Sequence, residues 1–496
     1  MVILDGYKLT ISDLIKIAYT HEQVKIKKTL WRKVHAAEKF IKKQVTSNKT
    51  VYGFNTGFGA LAQVRISARD LKKLQHNILL SHNAGVGQPF AKELVRAALC
   101  LRINTLIRGH SGVSEQLIRN LVTMLNKNLI PIVPQKGSVG ASGDLAPLAA
   151  IGLVLIGKGK VFYNRKIMSA KSALRLAGIK ILELKPKEGL SLINGTQFST
   201  GLAGLINHIG MGLCDIADTH GAMSLDALKG TDIPFNKNIF KLRPHPGAIK
   251  SAKNIRNLIK GSHILKSHKD CQKVQDPYSL RCMAQVHGAV RDIFSFTRKT
   301  IEIEINSVTD NPLVFPDKNL ILSSGNFHAE PVAFALDMMA IGLAELASIS
   351  ERRIFRLLDS KLSGLNAFLT MKPGLNSGFM MAQVTAAALV SQNKILCHPA
   401  SVDSIPTSAN QEDHVSMSMN AGLKAFEVLE NTKYVLAIEM LCACQALDMH
   451  KPLKTSPALE KIKKKIRKSI PFNKTDQSLT SKIEKIKGII ERDLIK

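Results

Sequence analysis

The sequence predicts a mainly α-helical protein, with a small mixed N-terminal domain followed by a long central helical bundle. Of the 496 residues, 45% are hydrophobic, which suffices for a large buried core. Long segments rich in Ala and Leu repeat their apolar residues with the period of an α-helix, whereas strand patterns are few. The clearest helical segments are residues 93–107, 115–126, 329–358 and 382–396.

The boundary between the two predicted domains lies near residue 110, so that residues 1–110 form the mixed domain and residues 111–496 the helical one. A helical pattern opens soon after the start, where Thr10 or Ser12 could cap the first turn. The three glycines within residues 51–62 predict a loop.

Later segments show the apolar patterns of short strands and of a further helix. Short strands are predicted at residues 160–163 and within residues 321–327. Residues 382–396 are apolar on nearly every side of the predicted helix. Such a helix is expected to be buried, either in a large core or in an interface between subunits.

The formal net charge of +31 is the most unusual global property. A basic chain could bind nucleic acid or an anionic surface, so a nucleic-acid-binding protein on an enzyme fold is one alternative. We favour a lysine-rich, solvated surface without a nucleic-acid partner. The densest basic run, residues 459–470, carries Ile at helical spacing and no aromatic residue, which predicts an amphipathic surface helix.

The remaining global features predict a cytoplasmic protein without a membrane segment. The first residues lack the basic and apolar regions of a secretory signal. The apolar stretch at residues 145–157 is too short to span a membrane, and residues 332–349 carry Asp337 and Glu345. The seven cysteines are scattered without a CxxC pair, so neither a disulfide framework nor a metal site is expected.

Residues 137–149 read GSVGASGDLAPLA, a glycine-rich stretch that runs into a helix beginning near Asp144. Asp144 suits a helix N-terminus, and Pro147 suits a first turn. A plain capped turn or a phosphate-binding loop is the simple interpretation. The stretch lacks both the GK[ST] ending and the GxGxxG spacing, which disfavours a nucleotide site.

A different chemistry suits the three small residues Ala141, Ser142 and Gly143. Gly143 has no Cβ, so its nitrogen could approach the carbonyl carbon of Ala141 closely. Ring closure and loss of the Ser142 hydroxyl as water would leave a methylidene-imidazolone, a conjugated five-membered electrophile. The tripeptide alone is common, and the weight of this interpretation comes from the whole segment.

This segment resembles the signature of the aromatic amino acid ammonia-lyases, and in particular of their histidine-specific members. The resemblance covers nearly the whole chain, because six further blocks occur in the same order. They are residues 52–59 (YGFNTGFG), 81–87 (SHNAGVG), 188–196 (EGLSLINGT), 274–282 (VQDPYSLRC), 325–331 (GNFHAEP) and 401–417 (SVDSIPTSANQEDHVSM).

The resemblance implies an α-helical enzyme that eliminates ammonia from L-histidine to give trans-urocanate. It implies no external cofactor, since the electrophile forms autocatalytically from residues 141–143. It also implies a homotetramer in which each active site draws residues from more than one subunit.

The resemblance assigns roles to further residues. Tyr52 would be the base that removes the β-proton, for which its phenolate must be stabilised. Arg281 would pair with the substrate carboxylate through its two-pronged guanidinium. Without the resemblance, Tyr52 would be interpreted as an aromatic residue packed in a loop, and Arg281 as a member of a surface ion pair. Asn194, Gln275 and Tyr278 would line the site, with Asn194 near the electrophile.

The substrate side chain would be recognised by Phe327, His82 and Glu412. Phe327 would pack beside the substrate ring. His82 and Glu412 would offer hydrogen bonds to an imidazole, and a phenylalanine substrate would leave them unpaired. The alternative within the family is a phenylalanine or tyrosine ammonia-lyase, or an aminomutase. Taken singly, His82 could be a helix-terminal histidine and Glu412 an interface ion pair.

The chain departs from the usual pattern of the family at several positions. Met283 and Ala284 follow Arg281 where Gln-Pro is usual, which affects the backbone next to the carboxylate site. Asn83 stands where a small residue is common, and Gln392 where Glu is common. None of these departures removes a residue to which a role is assigned.

Overall fold

In the computed structural model, which describes residues 1–46, 50–271 and 273–495, most of the chain is helical. The α-helices are Ile11–Tyr19, Trp31–Val45, Leu71–His82, Lys92–Leu106, Glu115–Asn126, Leu145–Leu155, Ala170–Leu176, Glu188–Ile193, Gln197–Ala227, Lys237–Leu242, Pro246–Ile259, His263–Ser267, Tyr278–Arg281, Met283–Glu304, Glu330–Leu358, Ser360–Ser363, Met380–Leu396, Ser418–Asp448, Pro457–Arg467 and Thr480–Ile495.

The β-structure of the described residues is limited to short pieces. Val2–Leu4 pairs in parallel with Val24–Ile26. The other pairs are antiparallel: Val86–Pro89 with Pro134–Lys136, Ile130–Pro131 with Lys160–Tyr163, Lys160–Tyr163 with Lys166–Ser169, and Leu313–Phe315 with Leu320–Leu322.

The four long helical predictions are confirmed, with ends that differ by up to two residues. The first helix, Ile11–Tyr19, is capped by Thr10 rather than by Ser12. The Thr10 side chain accepts a hydrogen bond from the Asp13 amide, and the Asp13 carboxylate accepts one from the Thr10 amide. This reciprocal pair satisfies amide groups that the first helical turn leaves unpaired.

The strand predictions are confirmed in one place and partly wrong in another. Lys160–Tyr163 is a strand, as predicted. Within residues 321–327 only the first two residues belong to a strand, Leu320–Leu322. The backbone then leaves the sheet, because the Ser324 amide donates to the side chain of Asn311 at 2.7 Å and not to a neighbouring strand.

The chain divides into two compact units. The first comprises Met1–His208, Arg298–Asp337 and Pro399–Leu423, and the second comprises Ile209–Thr297, Met338–His398 and Lys424–Lys496. This division by packing does not follow the boundary near residue 110, which stays a prediction about folding domains.

Helix Met380–Leu396 is only partly buried within its own chain, so burial in a subunit interface, the other predicted alternative, stays a prediction. Ala382, Ala386 and Val390 are buried, but Met381 is 61% exposed and Ile395 is 76% exposed. One side of this helix therefore packs within its own unit, and another side presents apolar side chains to the outside.

Two further helices correspond to the long apolar segment and to the basic run of the sequence. Helix Glu330–Leu358 is long and apolar enough to cross a membrane by composition, but 67% of its most apolar stretch is buried inside the protein. Helix Pro457–Arg467 is amphipathic, as the basic run predicts, with Leu459 and Ile466 on its buried side.

Candidate active site

A groove of about 610 Å³ in the first unit is lined by five of the eleven predicted site residues. Its walls come from the glycine-rich loop, from the end of helix Leu71–His82, and from segments near residues 142, 194 and 412. The predicted site residues that line it are Tyr52, His82, Ser142, Asn194 and Glu412.

The loop that carries Tyr52 is anchored by its next aromatic residue. Phe54 is 1% exposed and packs in an apolar cluster with Phe40, Ile41 and Val314. The Tyr52 hydroxyl accepts a weak hydrogen bond from the Gly59 amide at 3.4 Å. Burial raises the pKa of Tyr52, and the charge of Glu412 raises it further. The groove by itself therefore does not supply the stabilisation that a Tyr52 phenolate needs.

His82 is the last residue of helix Leu71–His82, where a side chain can reach over the groove. Its Nδ1 lies 3.0 Å from the Ser81 hydroxyl. Burial lowers the pKa of His82, and this effect outweighs the opposite effect of the Glu412 charge. The imidazole is therefore neutral near pH 7, with one nitrogen able to donate and one able to accept.

The 141–143 segment forms a tight turn against residues 194–195. Gly143 has a φ of +73°, and a Cβ added there would lie 2.3 Å from the carbonyl oxygen of Gly195. The Asp144 amide donates to that same oxygen at 2.7 Å. Both glycines are required here, since any side chain at Gly143 would force the two backbones apart.

Asp144 does not cap the helix that follows it. Its side chain makes no hydrogen bond to helix Leu145–Leu155. Instead, its carboxylate accepts from the amides of Phe198 and Ser199, both at 2.8 Å, in the first turn of helix Gln197–Ala227. Burial raises the pKa of Asp144 to about 6, against the opposing effect of these donors. The acidic residue thus ties the turn to a distant helix.

Ser142 is held from two sides by groups that matter for its chemistry. Its hydroxyl donates to Oε1 of Glu412 at 2.8 Å, and its carbonyl oxygen accepts from Nδ2 of Asn194 at 3.0 Å. The second oxygen of Glu412 accepts from the Thr407 hydroxyl at 2.7 Å. The hydroxyl that ring closure would expel is therefore bound to a carboxylate.

The other predicted residues lie elsewhere. Gln275, Tyr278 and Arg281 belong to the second unit, where the Arg281 guanidinium donates to Oε1 of Gln275 and lies 5.8 Å from the ring centre of Tyr278. Tyr278 is 75% exposed. Phe327 belongs to the first unit but is not among the residues that line the groove.

The model of the aromatic amino acid lyase family matches residues 9–468 of this sequence. The chain belongs to the aromatic amino acid lyase family.

Relatives and solved structures of this family agree with the match. The chain is 45% identical over 490 residues to the histidine ammonia-lyase of Myxococcus xanthus, covering 99% of this chain and 96% of that protein. The crystal structure of histidine ammonia-lyase from Trypanosoma cruzi matches with a TM-score of 0.92 and 41% identity, over 100% of this chain and 94% of that one.

The fold alone does not separate the members of the family. Tyrosine aminomutase from Streptomyces globisporus matches with a TM-score of 0.94 and 35% identity, over 100% of this chain and 97% of that one. Together these matches make the chain a carbon–nitrogen lyase of a mainly helical fold. Discrimination between substrates has to come from the side chains of the groove.

Three polar residues of this lyase went unnoticed in the sequence. Thr407 binds Glu412, and Arg102 and Lys187 are fully buried in the first unit. Arg102 could have been noticed as a charged residue inside an apolar helical segment, whereas nothing outside its motif marks Thr407.

In the described part of the chain, no group of three or more His, Cys, Asp or Glu side chains is arranged to hold a metal ion.

Proposed function

We propose that this lyase is a histidine ammonia-lyase, which eliminates ammonia from L-histidine to give trans-urocanate in histidine degradation. The observation that carries the proposal is the grouping of His82 and Glu412 in one groove with Ser142. A substrate imidazole needs a donor and an acceptor at the end of its pocket, and these two residues offer both. The cytoplasm is the proposed location.

Residues 141–143 are suited to become the electrophile. The close contact between Gly143 and Gly195 leaves no room for a side chain, and Ser142 carries a hydroxyl that can leave as water. The resulting methylidene-imidazolone would supply an electrophile for the amine, without an external cofactor. Asn194 would polarise the carbonyl of Ser142, to which its amide already donates.

Glu412 would serve the substrate after Ser142 has lost its hydroxyl. Oε1 of Glu412 accepts only from that hydroxyl among the described residues, so dehydration would free an acceptor for the imidazole N–H. Oε2 would stay oriented by Thr407. Phenylalanine, which would give cinnamate, has no side-chain N–H for this acceptor, so an unpaired, half-buried carboxylate would disfavour its binding.

Tyr52 would remove the β-proton, and Arg281 would bind the substrate carboxylate. Tyr52 needs a nearby positive charge, because burial raises its pKa. Arg281 is a cation whose motif suits the substrate carboxylate, with Gln275 and Tyr278 beside it. Phe327 would pack on the substrate ring.

The proposed assembly is a homotetramer with shared active sites. The exposed apolar side chains of helix Met380–Leu396, such as Val384 and Ile395, support this assembly, because apolar surface of this kind is stabilised by burial between subunits. Light scattering of the purified protein tests it, and a fully active monomer at high dilution would contradict it.

The decisive assay follows ultraviolet absorbance with L-histidine, L-phenylalanine and L-tyrosine in parallel. Urocanate from histidine alone is the expected result. Cinnamate or coumarate as the main product would indicate a phenylalanine or tyrosine ammonia-lyase instead. The absence of any product, together with salt-sensitive retention on DNA, would favour the basic binding protein instead.

A further inference from the structure

Arg102 is a buried cation that contacts the segment behind the electrophile. It lies on helix Lys92–Leu106 with its side chain fully buried, at 0% exposure. Its Nη1 donates to the carbonyl oxygens of Ser191 and Asn194 at 2.8 and 2.7 Å, and its Nη2 donates to the Asn194 oxygen at 3.0 Å. The guanidinium therefore grips the end of helix Glu188–Ile193 at two carbonyl groups.

The Arg102 guanidinium also packs against the backbone of Gly195. A Cβ added to Gly195 would lie 2.7 Å from Nη2 of Arg102, so the guanidinium packs directly against this glycine. Gly195 has a φ of +142°, which favours glycine. On its other side, its carbonyl oxygen accepts from the Asp144 amide, and Gly143 packs against it. Residues 194–195 are thus clamped between Arg102 and the reactive turn.

We infer that Arg102 is a positioning residue for formation of the electrophile, an inference that rests on the proposed function. It fixes the backbone of residues 194–195, and the turn 141–143 is pressed against this fixed segment, called the wall below. It also fixes the residue whose side-chain amide donates to the Ser142 carbonyl oxygen. Arg102 does not line the groove, so it acts through Asn194 and Gly195 and not on the substrate.

The reaction that this wall assists loses two waters. The nitrogen of Gly143 forms a bond to the carbonyl carbon of Ala141. The oxygen of Ala141 leaves as water with the amide protons of Gly143 and Ser142, and a C=N bond forms. The hydroxyl of Ser142 leaves as the second water with its α-proton, and a C=C bond forms. No oxidant or co-reactant is required.

A positive charge at this place also has an electronic effect. The Ser142 carbonyl carbon becomes a ring atom and its oxygen remains attached to the ring, conjugated with the new C=C bond, so a hydrogen bond donated to this oxygen draws electrons from the methylidene carbon. Burial lowers the pKa of Arg102 to about 10, which leaves the group charged near neutral pH. A fixed cation behind Asn194 strengthens this polarisation, because the surroundings contain little water.

The same helix provides a matched control. Arg96 is also buried, at 1% exposure, and its guanidinium also binds carbonyl oxygens, those of Ile17 and Leu125. Its third partner is the side chain of Asn128, and none of the three partners belongs to the turn 141–143 or to residues 194–195. Replacing it disturbs the core of the unit to a similar degree without touching the wall.

The test compares the intact masses of purified full-length Arg102→Met and Arg96→Met with that of the wild type, after thermal unfolding has shown that each is folded. We expect wild type and Arg96→Met to lack two waters, and Arg102→Met to retain its full mass in most molecules. Equal and complete water loss in both variants would overturn the inference.

If Arg102→Met does not fold, Arg102→Lys and Arg96→Lys decide the question. A lysine keeps the charge but cannot span two carbonyls with a planar fork, so ring closure should stay incomplete in Arg102→Lys only. Complete closure in both lysine variants would overturn the inference. Failure of the proposed function appears differently, as a full mass in the wild type or as a product other than urocanate.

Discussion

Replacing Glu412 by Gln tests how this lyase would recognise histidine. The substitution keeps size and shape but removes the negative charge that accepts from Ser142 and Thr407 at 2.8 and 2.7 Å. In the proposed complex the same charge accepts from the substrate imidazole. A hydrogen bond to a charged group contributes about 1.5–3 kcal/mol, compared with about 1 kcal/mol between neutral groups.

The expected loss in kcat/KM for histidine follows from the difference between these contributions, because the amide oxygen of Gln still accepts a hydrogen bond. That difference is about 0.5–2 kcal/mol, which at about 1.4 kcal/mol per factor of ten lowers kcat/KM by about 2- to 30-fold. Stability should change little, by about 1 kcal/mol or less, because Glu412 is only half-buried and its two hydroxyl donors can bind the amide oxygen or water. Activity should therefore fall much more than the melting temperature.

The assay measures urocanate formation and thermal unfolding for Glu412→Gln beside Glu183→Gln. Glu183 is an exposed carboxylate of the same unit that pairs with Lys72 at 2.5 Å, so its replacement should change neither quantity. The intact mass must also be recorded, because Glu412 binds the Ser142 hydroxyl. Equal kcat/KM in the two variants, both with the two waters lost, would refute this account of recognition.

Three other substitutions test the turn 141–143, a buried ion pair of the first unit and a buried histidine of the second unit. Gly143→Ala should retain its full mass and have no lyase activity, because its Cβ would strike the carbonyl of Gly195; a normal loss of two waters would contradict this. Lys187→Met should lower the free energy of unfolding in urea by about 3–5 kcal/mol, since it leaves the fully buried Asp310 without its cation, and a change below about 1 kcal/mol would count against this reasoning. Burial lowers the pKa of His220 from 6.5 to about 4, so the stability that comes from its neutral form is present above pH 6.5 and is lost as the pH falls toward 4. The loss amounts to about 3 kcal/mol, and pH-dependent unfolding of His220→Gln should lack it.

The helices of this protein were predictable because their signal is local. Residues 115–126 show the periodic apolar pattern over the whole helix Glu115–Asn126 and have a serine at the capping position. For helix Met380–Leu396 the pattern left open whether a core or a subunit interface covers the helix, and in the single chain its apolar residues face outward as well as inward. Periodicity reports which residues are apolar, but it cannot report which of them are covered within one chain.

The sequence predicted candidate site residues, which stay a prediction, but it could not predict their contacts. Ser142 and Glu412 are 270 positions apart and share a hydrogen bond, which no pattern within a short window could indicate. Asp144 illustrates the same limit, since its local sequence predicts a cap on the next helix. In the structure its carboxylate accepts from two amides in the first turn of helix Gln197–Ala227, more than 50 positions away along the chain.

The sequence by itself determined the helical class of the fold and the small residues that make a reactive turn possible at 141–143. Helical period and the steric freedom of glycine are properties of neighbouring residues, so they are legible in the sequence. Only the tertiary structure decided that Gly195 closes on Gly143 and that Arg102 supports it from behind. These contacts join segments remote in sequence, and they depend on how the packed helices orient buried polar groups that must find a partner.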